Sequence, residues 1–205
     1  METFHIHIKG MVQGVGFRPF VHQLANEMNL CGYISNTKNG VHIEINGDEN
    51  TAVVFCQNIL QHPPENALIT GHSISRTTTK SYINFSIIPD FSDEIPDLFL
   101  TPDISICEKC KHDLSDIQGK RYRYPFTTCL QCGPRYSILK KLPYDRINTT
   151  MSHLNMCTDC LQEYQDIGDR RYYSQTNSCP ECAIQMHIYD KTTSEIHLSQ
   201  DVMIT

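Results

Sequence analysis

The chain has 205 residues, 40% hydrophobic and 20% charged, with a formal net charge of −6 at neutral pH. That is room for one ordinary domain or for two or three small ones, and the negative balance argues against a general binder of nucleic acid or other polyanions. No run approaches the ~18 apolar residues of a membrane span, and the opening METFHIHIKG lacks the layout of a secretory leader, so a cytoplasmic location is expected.

In chain order, Phe4 to Gly10 (FHIHIKG) alternates apolar and polar residues and predicts a strand. The stretch GMVQGVGFRPF, Gly10 to Phe20, comes next, and Arg18 is its one charge. Gly10, Gly14 and Gly16 permit backbone conformations closed to other residues, so a turn here can aim several N–H groups at one spot beside a helix start. That helix is predicted by the apolar spacing of Phe17, Phe20, Val21, Leu24, Met28 and Leu30, with Pro19 tolerated in its first turn. A cation there opposes the helix dipole. A bound phosphate would compensate it; a solvated or paired Arg18 is the plainer alternative. The pattern matches neither glycine-rich nucleotide motif.

Two short strands, CGYISN and GVHIEIN, flank the Asn-Gly hairpin signal in TKNG. TAVVFCQNIL predicts a second helix, ended by HPP, and ITGHSISRT and SYINFSIIP predict two further strands. The order βαββαβ, with a possible extra strand pairing, is the ferredoxin-like arrangement: an α+β unit over residues 1–90 with two helices on one face of a sheet. Cys31 and Cys56 stand alone in apolar surroundings and read as small buried hydrophobes. The acidic, proline-containing DFSDEIPDLFLTPD predicts a linker over 91–103.

Eight cysteines beyond it form four C-x-x-C pairs: Cys107/Cys110, Cys129/Cys132, Cys157/Cys160 and Cys179/Cys182. The same double-pair spacing recurs at an offset of 50 residues, and SDIQGKRY aligns with QDIGDRRY, so two copies of one small unit are predicted over 104–150 and 151–190, with a tail over 191–205. Two pairs at this separation are a strong zinc signature, since two tight turns each deliver two thiolates to a tetrahedral ion. Each unit has too few apolar residues to hold itself together unaided. Four thiolates leave the ion no open position, so two structural zinc ions are expected, one per unit; pairing across units stays open. Disulfides, redox dithiols and an iron–sulfur cluster are the alternatives, and nothing suggests the export that a disulfide framework implies. GKRYRYPF and DRRYYSQ interleave basic and aromatic residues, but acidic residues balance them, so packing or interdomain contact is favoured over nucleic-acid binding.

VQGVGFRPF and GYISNTKNGVHIEINGD closely resemble the two segments that mark acylphosphatases, over about residues 4–90. The resemblance implies that Arg18 and the backbone N–H groups of Gln13, Gly14, Val15, Gly16 and Phe17 hold a phosphoryl group, and that Asn36 positions the attacking water. An amide can orient water but cannot act as its base. PDISICEKC, RYRYPFTTCLQCGPRYSI, LPYDRINTTM, MCTDCLQEY and DRRYYSQTNSCPEC follow in the order of the HypF carbamoyltransferases, so the chain is similar to their N-terminal part through about residue 182. In that family the acylphosphatase domain cleaves carbamoyl phosphate. Later domains form carbamoyl-adenylate and pass the carbamoyl group to a cysteine of HypE, towards the cyanide ligands of [NiFe]-hydrogenases.

The resemblance implies a carbamoyl phosphate hydrolase unable to complete the transfer alone, with the cysteine units as a spacer towards later domains or a HypE-type acceptor. Fragment, split-gene product and remnant are all open, as is a non-catalytic zinc-stabilised scaffold. Two departures fall in the second unit. Tyr172-Tyr173-Ser174-Gln175 stands where the family has Phe-His-Ala-Gln, and Ala183-Ile184 follows the last pair in place of Gly-Pro. Whether that unit closes around a metal is the question they raise.

Overall fold

The computed structural model describes residues 2–89, 97, 99–182 and 184; the predicted tail, Ala183 and most of the acidic stretch lie outside the described residues. Strand β1 (Glu2–Met11) leads through the glycine turn into helix α1 (Phe17–Glu27). Strands β2 (Gly32–Thr37) and β3 (Gly40–Gly47) form the hairpin expected of TKNG, with Thr37 paired to Gly40. Helix α2 (Glu49–Gln61) begins before the apolar pattern does, because the Asp48 side chain caps it, accepting from the Thr51 N–H at 2.7 Å. Strands β4 (Leu68–Thr77) and β5 (Phe85–Ile88) complete a five-stranded sheet of order β4-β1-β3-β2-β5. The first four strands pair antiparallel; β5 is the extra strand, parallel to β2.

Period-two alternation decides the two faces of this sheet. Phe4, Ile6 and Ile8 of β1 stand opposite Ile45, Ile43 and Val41 of β3, and all six are buried under the two helices. Phe17, Val21 and Ala25 of α1 and Ala52, Phe55, Cys56 and Ile59 of α2 close the same core. On the other face, Glu44 is buried with Lys80 Nζ 2.9 Å from each carboxylate oxygen, and the Tyr82 hydroxyl donates to the same group. Burial alone would raise the Glu44 pKa; the bonds from Tyr82 and Lys80 outweigh it and hold the carboxyl below its ordinary 4.5.

The repeat is visible as a pseudo-twofold. Helices α3 (Glu108–Ser115) and α4 (Thr158–Gln165) have equal length, and Cys107 and Cys157 occupy their N-cap positions. Matching residues exchange contacts across the pair. Arg121 Nε donates to the Ser178 carbonyl at 2.9 Å, and Arg171 Nε to the Thr128 carbonyl at 3.0 Å. Arg121 forks onto Glu163 at 2.8 and 2.5 Å, while Arg171 pairs with Asp113, the counterpart of Glu163. Burial would raise Glu163, yet the Arg121 fork pulls it down to about 2. Arg123 and Tyr173, also 50 apart, share a left-handed backbone with φ of 57° and 58°.

Two outcomes follow from these contacts. A depressed carboxyl stabilises the fold at neutral pH and loses that contribution as pH falls from 4.5 through the lowered value. Glu44→Gln should therefore cost about 1–2 kcal/mol at pH ~7. The gap between wild-type and variant urea midpoints should shrink on acidification; a constant gap would refute the charge-based account. Arg121→Ala should cost about 3 kcal/mol by leaving Glu163 unpaired, and Glu163→Ala should recover part of it in a double-mutant cycle. Tyrosine fluorescence can follow unfolding, as the chain has no tryptophan.

Candidate functional site

The glycine turn is held from both sides. Val12, Val15 and Phe17 send their side chains into the core. Gln13, buried, donates to the carbonyls of Thr37 at 2.6 Å and Gly40 at 3.0 Å, which ties the turn to the β2–β3 hairpin. Gly14 and Gly16 have φ of +73° and +79°, the left-handed region that side chains resist, and Gly16 is the N-cap of α1. The N–H groups of Gly14, Val15, Gly16 and Phe17 meet no acceptor among the described residues. Such free donors at a helix start are what an anion uses.

Arg18 points back across this turn and is only 6% exposed. Its guanidinium pairs through Nη1 with the Asp145 carboxylate and donates through Nη2 to the Tyr144 carbonyl at 3.0 Å. The Tyr173 ring lies over it, 5.2 Å from the guanidinium carbon. Asn36, near the end of β2 and 1% exposed, donates to the same Tyr144 carbonyl at 3.1 Å. Its Oδ1 has no partner, alone among buried side-chain oxygens and nitrogens of the described residues. A buried acceptor left empty costs about 1–3 kcal/mol, so the position is suited to a donor that comes and goes.

Between these groups lies a cavity of about 30 Å³, lined by Gly14, Gly16, Arg18, Asn36, Tyr144 and Tyr173 among others. On that measure it holds roughly two waters. Arg18 and Asn36, which the sequence placed together only by resemblance, share one pocket and one hydrogen-bond acceptor. Residue patterns did not reveal the other wall. Tyr144, Asp145 and Tyr173 come from the cysteine-rich part, so that part covers Arg18. Their stretches, LPYDRINTTM and DRRYYSQ, carry the family resemblance but no signal of a role in the pocket.

Both sets of four cysteines converge, each with its sulfurs within 4.8 Å of one another. Sγ atoms lie 3.7 Å apart for Cys107–Cys129, 3.8 Å for Cys129–Cys132, 3.6 Å for Cys157–Cys179 and 3.7 Å for Cys160–Cys182. Four sulfurs ~2.3 Å from one tetrahedral ion have edges of about 3.8 Å, and a disulfide would need about 2.05 Å. The spacing fits a metal within each unit, and the second unit closes as the first does despite its departures. Cations cross between units to these sulfurs: Arg170 to Cys110 Sγ at 3.1 Å, Arg121 to Cys160 Sγ at 3.6 Å and Lys120 to Cys157 Sγ at 3.8 Å. Buried Arg135 links the first cluster to the turn, donating to the carbonyls of Cys129, Leu130 and Cys132 and, through Nε, to that of Gly14.

Comparison with known proteins matches both parts. The acylphosphatase family model covers residues 4–87, and the HypF finger model covers residues 106–139 and 156–189. The acylphosphatase of Thermotoga maritima is 38% identical over 88 residues, which is 42% of this chain and 97% of that protein. Carbamoyltransferase HypF of Synechocystis is 41% identical over 152 residues, 74% of this chain but 20% of the relative. A crystal structure of full-length HypF in a phosphate- and nucleotide-bound form superposes with a TM-score of 0.83 at 37% identity, covering 92% of this chain and 25% of that one. The chain thus spans about a fifth of the length of the curated HypF relatives it matches. Among the described residues no helix is long and apolar enough to cross a membrane. By its acylphosphatase sheet, its glycine turn and its paired HypF fingers, the chain belongs to the acylphosphatase family and carries the acylphosphatase and finger parts of the HypF carbamoyltransferases.

Proposed function

We propose that the chain hydrolyses carbamoyl phosphate as the front end of a HypF-type carbamoyl transfer towards the cyanide ligands of [NiFe]-hydrogenase. The observation that carries this reading is the convergence of Arg18, the unengaged N–H groups of the turn and the orphan Oδ1 of Asn36 on one pocket. Arg18 and the N–H groups from Gln13 to Phe17 bind the phosphoryl oxygens and stabilise the charge that builds on them. Asn36 Oδ1 accepts a hydrogen bond from water and aligns it with phosphorus. The water oxygen bonds to phosphorus as the bond from phosphorus to the carbamoyl oxygen breaks. Carbamate leaves with that electron pair, and both water protons end on the phosphate.

In this reading residues 1–90 are the hydrolytic unit and the two fingers, 104–150 and 151–190, its structural support. Zinc held by the eight cysteines supplies a cross-link and no reaction step. Carbamate then goes to later domains of a longer protein, which would activate it with ATP as carbamoyl-adenylate before a HypE-type acceptor takes the carbamoyl group. A cytoplasmic setting keeps the thiolates reduced. One observation favours a non-catalytic scaffold instead: Tyr144 and Asp145 already occupy donors of Arg18 and Asn36.

Phosphate release from carbamoyl phosphate separates the two. Arg18→Ala should lower kcat/KM by at least ~100-fold, and Asn36→Ala by about as much through kcat. Zinc content should stay at two ions per chain in each variant, one for each cluster. Turnover by the wild type that survives Arg18→Ala sinks the hydrolase assignment, and so does a wild type with no turnover.

A further inference from the structure

We propose that the finger part selects the acyl group by size: Tyr173 roofs the pocket so that acyl phosphates with small acyl groups enter and aromatic ones do not. This deepens the hydrolase reading and rests on it for the site being one for acyl phosphates.

The roof is built and braced. Tyr173 stacks on Tyr164 with ring centroids 4.9 Å apart and planes at 24°, and its N–H donates to the Tyr164 carbonyl at 2.9 Å. Its left-handed backbone comes from the repeat, since Arg123 has the same conformation and the same bond, to the Leu114 carbonyl at 2.8 Å. The second copy differs in the side chains it hangs on that backbone, which places an aromatic ring over Arg18. Gln175 locks the following turn. Its Oε1 accepts from the Arg146 N–H at 2.7 Å, its Nε2 donates to the Tyr173 carbonyl at 2.6 Å, and its own carbonyl accepts from Arg146 Nη1 at 2.6 Å. Thr176 is hydrogen-bonded to Thr128 at 2.7 Å. A side chain clamped in this way does not swing aside at little cost.

The pocket beneath has about 30 Å³ free, roughly two waters. Any acyl phosphate must take the Arg18 donor that Asp145 holds and press on the roof. If the turn and Arg18 fix the phosphoryl end, Tyr173, which lies over Arg18 and lines the pocket, borders the space left for the acyl end. A carbamoyl or acetyl group needs the smaller displacement; a benzoyl ring needs in addition the room that the tyrosine ring itself fills. Intruding on a packed wall is penalised steeply with added volume.

Non-hydrolysable phosphonates test this without relying on turnover. Acetonylphosphonate copies acetyl phosphate, and phenacylphosphonate copies benzoyl phosphate. By calorimetry on the full chain, the wild type should bind the acetonyl compound at least ~10-fold more tightly, and Tyr173→Ala should cut that ratio about fivefold or more. Tyr173→Phe, which keeps the ring, should retain the wild-type ratio. Loss of the stacking on Arg18 acts on both ligands alike and cancels from the ratio. Equal affinities in the wild type, an unchanged ratio in Tyr173→Ala, or binding of neither ligand overturns the proposal. Size-selective binding without hydrolysis of carbamoyl or acetyl phosphate leaves the roof standing and removes the hydrolase reading.

Discussion

A guanidinium buried at residue 18 needs an anion, and the arrangement around the pocket follows from that need. Removed from water, the charge of Arg18 costs several kcal/mol unless it is paired and hydrogen-bonded. Among the described residues the sheet part offers it none: α1 carries no acidic residue in its first turn, and the nearby turn presents N–H groups. The partner comes from 127 residues away, the carboxylate of Asp145, with the Tyr144 carbonyl as second acceptor. Either that carboxylate or a ligand anion can satisfy Arg18, so the contact that joins the two parts is also the one that the proposed substrate would replace.

The same logic runs through the fingers, with thiolates as the charges. Each cluster of four draws cations from the other unit, through Arg170 in one direction and Arg121 and Lys120 in the other. Among the described residues, the apolar cluster of the first unit is built mainly from its cysteines with Ile106, little to set against the entropy of ordering the chain. The exchange of arginines across the pseudo-twofold makes the pair one structural object. Arg135 then carries its geometry from the first cluster's cysteine carbonyls to the Gly14 carbonyl. The cysteine clusters lie outside the pocket, yet one hydrogen-bonded side chain, Arg135, separates the first of them from the turn that would hold a phosphate.

Legibility in the sequence divides along contact range. The sheet could be read because alternation and helical spacing are local: FHIHIKG and GVHIEIN state which faces of β1 and β3 are buried, and TKNG states where they turn. The cysteine clusters could be read because four ligands of one chemistry at a repeated spacing point to a metal centre and to little else. Helix α2 starts ahead of its apolar pattern because Asp48 caps it by a side-chain bond that no apolar period records. Tyr144, Asp145 and Tyr173 were beyond reach for a stronger reason. Their role depends on what lies opposite them, more than a hundred residues earlier, and a tyrosine or aspartate in a polar loop has no periodic pattern.

The repeat explains why the roof could form at this place. Two copies share one backbone, down to the left-handed residues Arg123 and Tyr173. In the first copy Tyr124 is buried against Ser178 of the second. In the second copy the corresponding stretch, Tyr173 to Thr176, faces the pocket of the sheet part instead. Of these two equivalent stretches, the second is the one that lines the pocket, while the sheet part meets the first unit through other residues, Arg135, Tyr144 and Asp145. The second stretch is also where this chain departs from the resembling segment. The divergence at Tyr172 to Gln175 lies on the surface that touches Arg18, while the cysteines behind it keep the spacing a metal requires.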